Sequence, residues 1–303
     1  MSAGVVQSEN SVRRPDAPPE ELVKRLFARI SEVSTLPAVA MRIIQVANDS
    51  STGAADLLDA VQYDAALAAR IVRTVNSSYY SMQNKVADLK LAITLLGFKE
   101  IRNLAMTAYV AQLFKKGQGH GSYTREGLWN HMIGVAVVSR QIAEVSRKAA
   151  PREAYLAGLL HDIGYILIDQ YLNKPFGEVV DSATEENNHL EVEKEILGFD
   201  HGALGAYVGE QWRLPDHLVA TIRHHHNPLS YSGDHWAMVQ TVALADFFCN
   251  AKGVSPLGVR HTTTPPAEIF SALGLQKPQV ARLWEELDHT LESADIMALI
   301  RTE

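Results

Sequence analysis

The sequence predicts an all-α protein built as two helical lobes. Apolar residues recur at three- and four-residue spacing from about residue 20 onward. No stretch alternates apolar and polar residues as a half-buried strand does. Residues that start and stop helices stand at the ends of the apolar runs: Asp and Ser before them, Gly, Asn and Pro after them.

Leu22, Leu26 and Ile30 define a first amphipathic helix, and Val39, Ile43, Ile44 and Ala47 a second after the break at Leu36-Pro37. Ser51 and Thr52 stand where caps would open a third, carrying Leu57, Leu58 and Val61. Asp64 is placed to cap a fourth, in which Leu67, Ile71 and Val75 share a face, and Asn76-Ser77-Ser78 ends it. Two more helices meet at Gly97, with Leu91, Leu95 and Leu96 before it and Ile101, Leu104 and Ala105 after it. These form an N-terminal lobe, residues 21–114, preceded by a polar, proline-bearing stretch (residues 1–20) read as a disordered tail.

The glycine-rich segment KKGQGHGSYT, residues 115–124, marks the boundary to a second lobe, residues 125–303, with longer helices. One carries His131 and another the His161-Asp162 doublet. A third begins at Asp200-His201, with Asp200 as its cap. A fourth runs from Pro215 to the stop at Asn227-Pro228, and a fifth opens near Asp234 and carries Asp246. Thr264-Pro265-Pro266 opens a short sixth. Pro278 opens the last, with Val280, Leu283, Leu287 and Leu291 on one face.

At 303 residues, 47% hydrophobic and 21% charged, the chain has the composition of a soluble globular protein. Its net charge of -7 argues against a broad nucleic-acid footprint, which needs clustered Lys and Arg. The helices meeting at Gly97 resemble a helix-turn-helix, but only Lys90, Lys99 and Arg102 lend them positive charge, so nucleic acid is not the expected partner. The single cysteine, Cys249, rules out an intrachain disulfide and fits a reducing compartment. It reads as a buried small hydrophobe one helical turn beyond Asp246. The first residues lack the apolar core of a signal peptide, and no run approaches the roughly 18 apolar residues of a membrane span. A cytoplasmic protein without a membrane partner is expected.

Five of the twelve histidines fall into one pattern with two aspartates: His131, His161-Asp162, His201, His225-His226 and Asp246. Imidazole and carboxylate are the side chains that hold divalent metals. They lie in otherwise apolar helices, where an unpartnered polar group costs free energy. Gly164, just beyond the doublet, permits close backbone approach. Val242, Ala245 and Phe248 place Asp246 on a buried face, where carboxylates are rare unless paired or metal-bound. The pattern is either a metal site or the skeleton of one left as a polar network; the expected cofactor is one or two divalent transition-metal ions. His224 is read as a solvated ring or one standing behind the ligands, and the spacing of His189, His217, His235 and His261 assigns them surface or core roles. Gly202, Gly205 and Gly209 are read as packing positions on the helix after His201.

The order His131, His161-Asp162, Asp246 resembles the H…HD…D signature of the HD superfamily of metal-dependent phosphohydrolases. His201 and His225-His226 resemble the fuller set of the HD-GYP cyclic-dinucleotide phosphodiesterases. The chain is more similar still to the HDOD domain proteins, through LPAVAMRIIQVANDSS, YDAALAARIVRTVNSSYY, LKLAITLLGFKEIRNLAM, AYLAGLLHDIGYILI, GFDHGALGAYV and LPDHLVATIRHHHNP, across roughly residues 30 to 250. That resemblance implies a bacterial signal-transduction or regulatory module with a protein partner, and a metal drawn first from iron or manganese, with zinc or nickel compatible. Its alternative is a metal-dependent phosphohydrolase acting on a phosphorylated small molecule such as a nucleotide or cyclic nucleotide. Asp162 would then be catalytic, bridging two ions, with His131, His161 and Asp246 on one and His201, His225 and His226 on the other. Two features depart from the active enzymes. Tyr165 stands where a phosphate-facing Lys is expected, and NPLSYSGDHW replaces the D-G-x-G-Y-P run.

Overall fold

The structure, a computed structural model, describes residues 20–33, 38–48, 51–62, 64–77, 80–114, 119–260 and 264–298. Residues 1–19, Leu36-Pro37, the start of the 115–124 segment and His261 lie outside them. The described elements are helical, apart from an isolated antiparallel bridge between His120 and Tyr123.

Six helices come first: α1 (Glu20–Val33), α2 (Ala38–Asn48), α3 (Ala54–Gln62), α4 (Ala65–Val75), α5 (Leu89–Leu96) and α6 (Phe98–Val110), followed by a 3-10 turn at Ala111–Phe114. Asp64 caps α4 by accepting from the Leu67 N–H, and Asp88 caps α5 through Leu91 in the same way. Ahead of α3 the Thr52 hydroxyl donates to the Val46 carbonyl, and Asp56 accepts the Gly53 N–H. Gly97 joins α5 to α6 at φ +85, a conformation costly to any residue with a Cβ. The buried face of α5 is Leu89, Ala92 and Ile93, whereas Leu91 and Leu95 are exposed. The expected apolar row is therefore turned to solvent, because this two-turn helix is apolar on nearly every side.

Every residue of α6 from Glu100 to Val110 is buried. That helix offers no face to a DNA groove; it is the keel on which the early helices pack. Each fully buried Leu or Ile, such as Leu104 and Ile101, contributes about 1.5–3 kcal/mol.

Eleven more helices follow: α7 (Arg125–Ser146), α8 (Pro151–Leu160), α9 (Ile163–Tyr171), α10 (Asn173–Ser182), α11 (His189–Leu197), α12 (His201–Gln211), α13 (Asp216–His224), α14 (Trp236–Ala251), α15 (Ala267–Ala272), α16 (Lys277–Glu285) and α17 (Leu287–Ala298). Long α7 is the axis, packed by α8, α14 and α17, while α12 lies on α9 and α13. The last expected helix is two helices, α16 and α17, which break at Glu286. α10 and α11 were not anticipated. One apolar core runs from α1 to α17.

α6 also holds the helix that leads to the histidines. Arg102 grips Glu153, in the first turn of α8, with two bonds of 3.2 and 3.0 Å, and Lys99 adds a third at 3.0 Å. Asn103 donates to the Arg152 carbonyl at 2.7 Å. Glu100 receives Tyr80, Arg140 and Arg152 at 2.9, 3.0 and 3.2 Å. The first turn of α8 is thereby fixed, and its far end carries His161.

Burial alone would raise the Glu153 carboxyl, but His217, Arg102 and Lys99 hold it well below the usual carboxylate range. An unfolded glutamate titrates near 4.3. Between that value and the lower folded one, the unfolded chain binds more protons, so stability rises with pH. Glu153→Gln is therefore expected to lower the melting temperature at pH 7. The gap to the parent should close as pH falls below about 4.3, which thermal melts across pH will show.

Candidate metal centre

The seven histidines and aspartates singled out in the sequence converge where several helix ends meet. His161 closes α8 and Asp162 opens α9; His201 is the first residue of α12; His225 closes α13, with His226 next to it. His131 and Asp246 project from the sides of α7 and α14. The expected cap Asp200 accepts from the Ala203 N–H and sets the start of α12. Gly164 lets α9 meet that start, since a Cβ there would fall 2.0 Å from the His201 carbonyl oxygen. At Gly202 and Gly205 a Cβ would fall 3.0 and 2.9 Å from Ile222 of α13, as expected for packing positions.

Four rings are oriented by their Nδ1 atoms. Nδ1–H of His131 donates to Val254 O at 2.8 Å, that of His161 to Gly158 O at 2.7 Å, and that of His225 to Ile222 O at 2.9 Å. His201 donates its Nδ1–H to the Glu193 carboxylate at 2.9 Å. With Nδ1 protonated, a neutral ring presents its Nε2 lone pair to the centre, the arrangement of metal-ligating histidines.

The Nε2 atoms face one another. His131 and His161 are 3.3 Å apart, His201 and His225 3.3 Å, and His201 and His226 3.0 Å. Lone pairs at that separation need a cation between them, either a proton or a metal. Two imidazole nitrogens about 2.1 Å from one ion stand roughly 3–3.4 Å apart at ordinary ligand angles.

The donors fall into two groups, His131-His161-Asp246 and Asp162-His201-His225-His226. Asp162 reaches both. Its Oδ2 is 3.3 Å from the Nε2 atoms of His131 and His161, and its Oδ1 is 3.2 and 3.4 Å from those of His201 and His225. Asp246 Oδ1 lies 3.1 Å from His131 Nε2 and accepts from Asn250 at 2.8 Å. Asp162 Oδ1 is buried and accepts no hydrogen bond. A buried carboxylate oxygen in that state is expensive unless a cation meets it. The donor set therefore fits divalent metal, and Asp162 is the one side chain shared by both groups.

Protons serve where metal does not. Burial works against the His131 imidazolium, yet Asp162 and Asp246 outweigh it and push its pKa up to about 10. The same burial is outweighed at His201 by Glu193 and Asp162, so its pKa also rises. Burial opposes ionisation of Asp162, but the imidazoles of His161, His131 and His201 hold it well below the carboxylate range. Because His131 is protonated below about 10 in metal-free protein, an ion binding at its Nε2 must expel that proton. Metal titration at pH 7.5 in buffers of different ionisation enthalpy is expected to show release of on the order of one to two protons per chain.

Glu193, on α11, was not read from the sequence. It is fully buried, and besides the His201 ring it accepts the His201 backbone N–H at 2.6 Å and the Tyr165 hydroxyl at 2.6 Å. Tyr165 also stacks on His201, with ring centres 3.9 Å apart and planes 20° from parallel. The residue standing where a phosphate-facing cation is expected is thus part of the support for His201. Cys249 is buried against α7 beside Gly134, and burial followed by the charge of Asp246 pushes its thiol up. His224 is half-buried and outside the cluster, and His217 lies 3.5 Å from Glu153. No described helix is long and apolar enough to cross a membrane.

The HDOD domain family matches residues 33–228. A solved HDOD domain protein of unknown function from Geobacter sulfurreducens is 26% identical, with a TM-score of 0.75 over 91% of this chain and 98% of its own. A proposed signal transduction protein from Marinobacter aquaeolei VT8 is 27% identical, with a TM-score of 0.78, covering 96% of this chain and 64% of that one. An uncharacterised protein of Treponema pallidum (strain Nichols) is 22% identical over 228 residues, 75% of this chain and 44% of its own. This chain spans less than half the length of that curated relative. The match runs from the end of α1, through the keel helix α6, to the His225-His226 pair, and the chain belongs to the HDOD domain family.

Proposed function

We propose that this protein is a signal-transduction module whose histidine–aspartate centre holds divalent metal in a structural or sensory role. The observation that carries the metal is Asp162, buried between two sets of imidazoles with one oxygen accepting no hydrogen bond. His131, His161 and Asp246 would hold one ion and His201, His225 and His226 the other, with Asp162 between them. Iron or manganese is the first choice, and imidazole with carboxylate also suits zinc and nickel. The regulatory reading is supported by Tyr165, which stands in place of a phosphate-facing cation and whose hydroxyl donates to Glu193. The partner is a signalling protein.

A second reading, phosphohydrolase, draws support from one feature: the centre opens to a cavity past the exposed His226. Bound there, two divalent ions would supply Lewis acidity for a phosphoryl oxygen and an acidified water. The chain's own residues would bind and orient: Asp162 as shared ligand, Asn250 steadying Asp246, Glu193 steadying His201.

Elemental analysis of tag-free protein purified without chelators tests the first reading. About two metal equivalents per chain is the expected result, with phosphodiester turnover at background. Protein that stays folded and takes up no iron, manganese, zinc or nickel would sink the metal centre. Hydrolysis abolished by Asp162→Ala would replace the regulatory reading with the second.

A further inference from the structure

The cavity against the centre has a chemistry of its own. Its volume is about 250 Å³, and it reaches Asp246, His225 and His226. Pockets for drug-sized ligands run to roughly 300–1,000 Å³, so this one is small. One part of its wall is apolar: Leu190 from α11, Phe247 from α14, Ile269 from α15, and Pro228, Pro256 and Pro266 from the connections between them. Asn188, Asn250 and Thr264 supply neutral polar atoms, and Tyr165 and His189 also face it. Among the described residues neither Lys nor Arg lines it, and the carboxylate that does is Asp246.

Permanent positive charge is therefore supplied at the inner end. Two divalent ions against Asp162 and Asp246 leave an excess of about two positive charges there, and Glu193 behind His201 reduces it. An unpaired negative charge laid against Leu190, Phe247 and Ile269 would carry a heavy desolvation cost. A ligand with two separated phosphates is disfavoured by the size of the cavity and by its apolar stretch.

We infer that this cavity takes a small amphiphile: one oxyanion head directed at the metal centre and a compact apolar body against Leu190, Phe247 and Ile269. The inference rests on the proposed metal reading and adds the class of molecule that the centre would sense. A carboxylate and a phosphate monoester share this head chemistry, and the binding assay distinguishes them.

The experiment is calorimetric titration of full-chain protein whose metal content has first been measured, using four probes: benzoate, phenyl phosphate, inorganic phosphate and a cyclic dinucleotide. Benzoate or phenyl phosphate should bind the metal-loaded protein at least tenfold more tightly than inorganic phosphate and the cyclic dinucleotide, and whichever of the two is tighter identifies the head. Chelated protein should lose that binding. Ala243→Leu adds bulk to a half-buried position of the wall one turn before Asp246 and Phe247. It should weaken the preferred probe at least tenfold while metal content stays at the parent value. Inorganic phosphate binding as tightly as benzoate and phenyl phosphate, or the cyclic dinucleotide binding most tightly, would overturn the inference. So would metal-loaded protein that binds neither aromatic probe, with the metal reading left standing. Protein that cannot be loaded at all removes the metal reading, and the inference with it.

Discussion

Asp162→Ala is expected to empty both halves of the centre, whereas Asp246→Ala empties one. Asp162 directs Oδ2 toward His131 and His161, and Oδ1 toward His201 and His225, so its loss takes a ligand from each group. Asp246 belongs to the His131-His161 group only. Outer partners of metal ligands are commonly worth ~10–100-fold in affinity, and deletion of a shared ligand should cost on the order of 100-fold or more at each position. Elemental analysis after dialysis against a weak chelator should therefore give less than a tenth of the parent's metal for Asp162→Ala, and about half for Asp246→Ala, as direct ligands imply. Equal retention by the two variants would mean that Asp162 is not shared. A titration of the metal-free proteins supplies a check that does not depend on loading. With Asp162 gone, only Asp246 remains to favour the His131 imidazolium, so its pKa should fall from about 10.

Glu193→Ala should carry the largest stability cost outside the apolar core. The carboxylate is fully buried and accepts from the His201 ring, the His201 backbone N–H and the Tyr165 hydroxyl. Removing one partner of a buried, hydrogen-bonded pair costs about 3–5 kcal/mol, because the other is left without compensation. Urea unfolding of metal-free protein should register that loss. Tyr165→Phe, which deletes one of the three donors, should cost about 1–2 kcal/mol. Glu193→Gln separates support from scaffolding. Its amide keeps one acceptor oxygen but turns N–H donors toward groups that are themselves donors, so the His201 ring loses its fixed tautomer. Metal affinity should fall about 10-fold or more. If affinity holds while stability drops, Glu193 serves the fold and not the centre.

Much of this architecture is local in origin and was legible for that reason. Asp64 and Asp200 cap the helices that follow them because an acceptor at that position meets an N–H within three residues. The alternation of apolar spacing with Gly and Pro marked most helices, and the metal-type residues stood out because imidazole and carboxylate are costly in apolar helices. The flanks of Asp246 announced its burial: Val242, Ala245 and Phe248 are all buried. Where a helix is short and apolar all round, the same reasoning gave out. Leu91 and Leu95 face solvent in α5 although their spacing matched a buried row.

Residue type and near-neighbour spacing sufficed for the helical class and the family, and they singled out the seven candidate ligands. Which ring nitrogen faces inward, and what stands behind each ring, depends on contacts between distant segments. Val254, Gly158 and Ile222 orient three rings through backbone carbonyls that every residue possesses, so no side-chain pattern marks them. Glu193 comes from another helix, eight residues ahead of His201, and it is the turn after α11 that brings it beneath the ring. Covalent geometry fixes contacts within a helical turn; contacts between residues 131 and 246 exist only because packed helices bury their apolar faces together and leave the polar ends of several chain segments at one point.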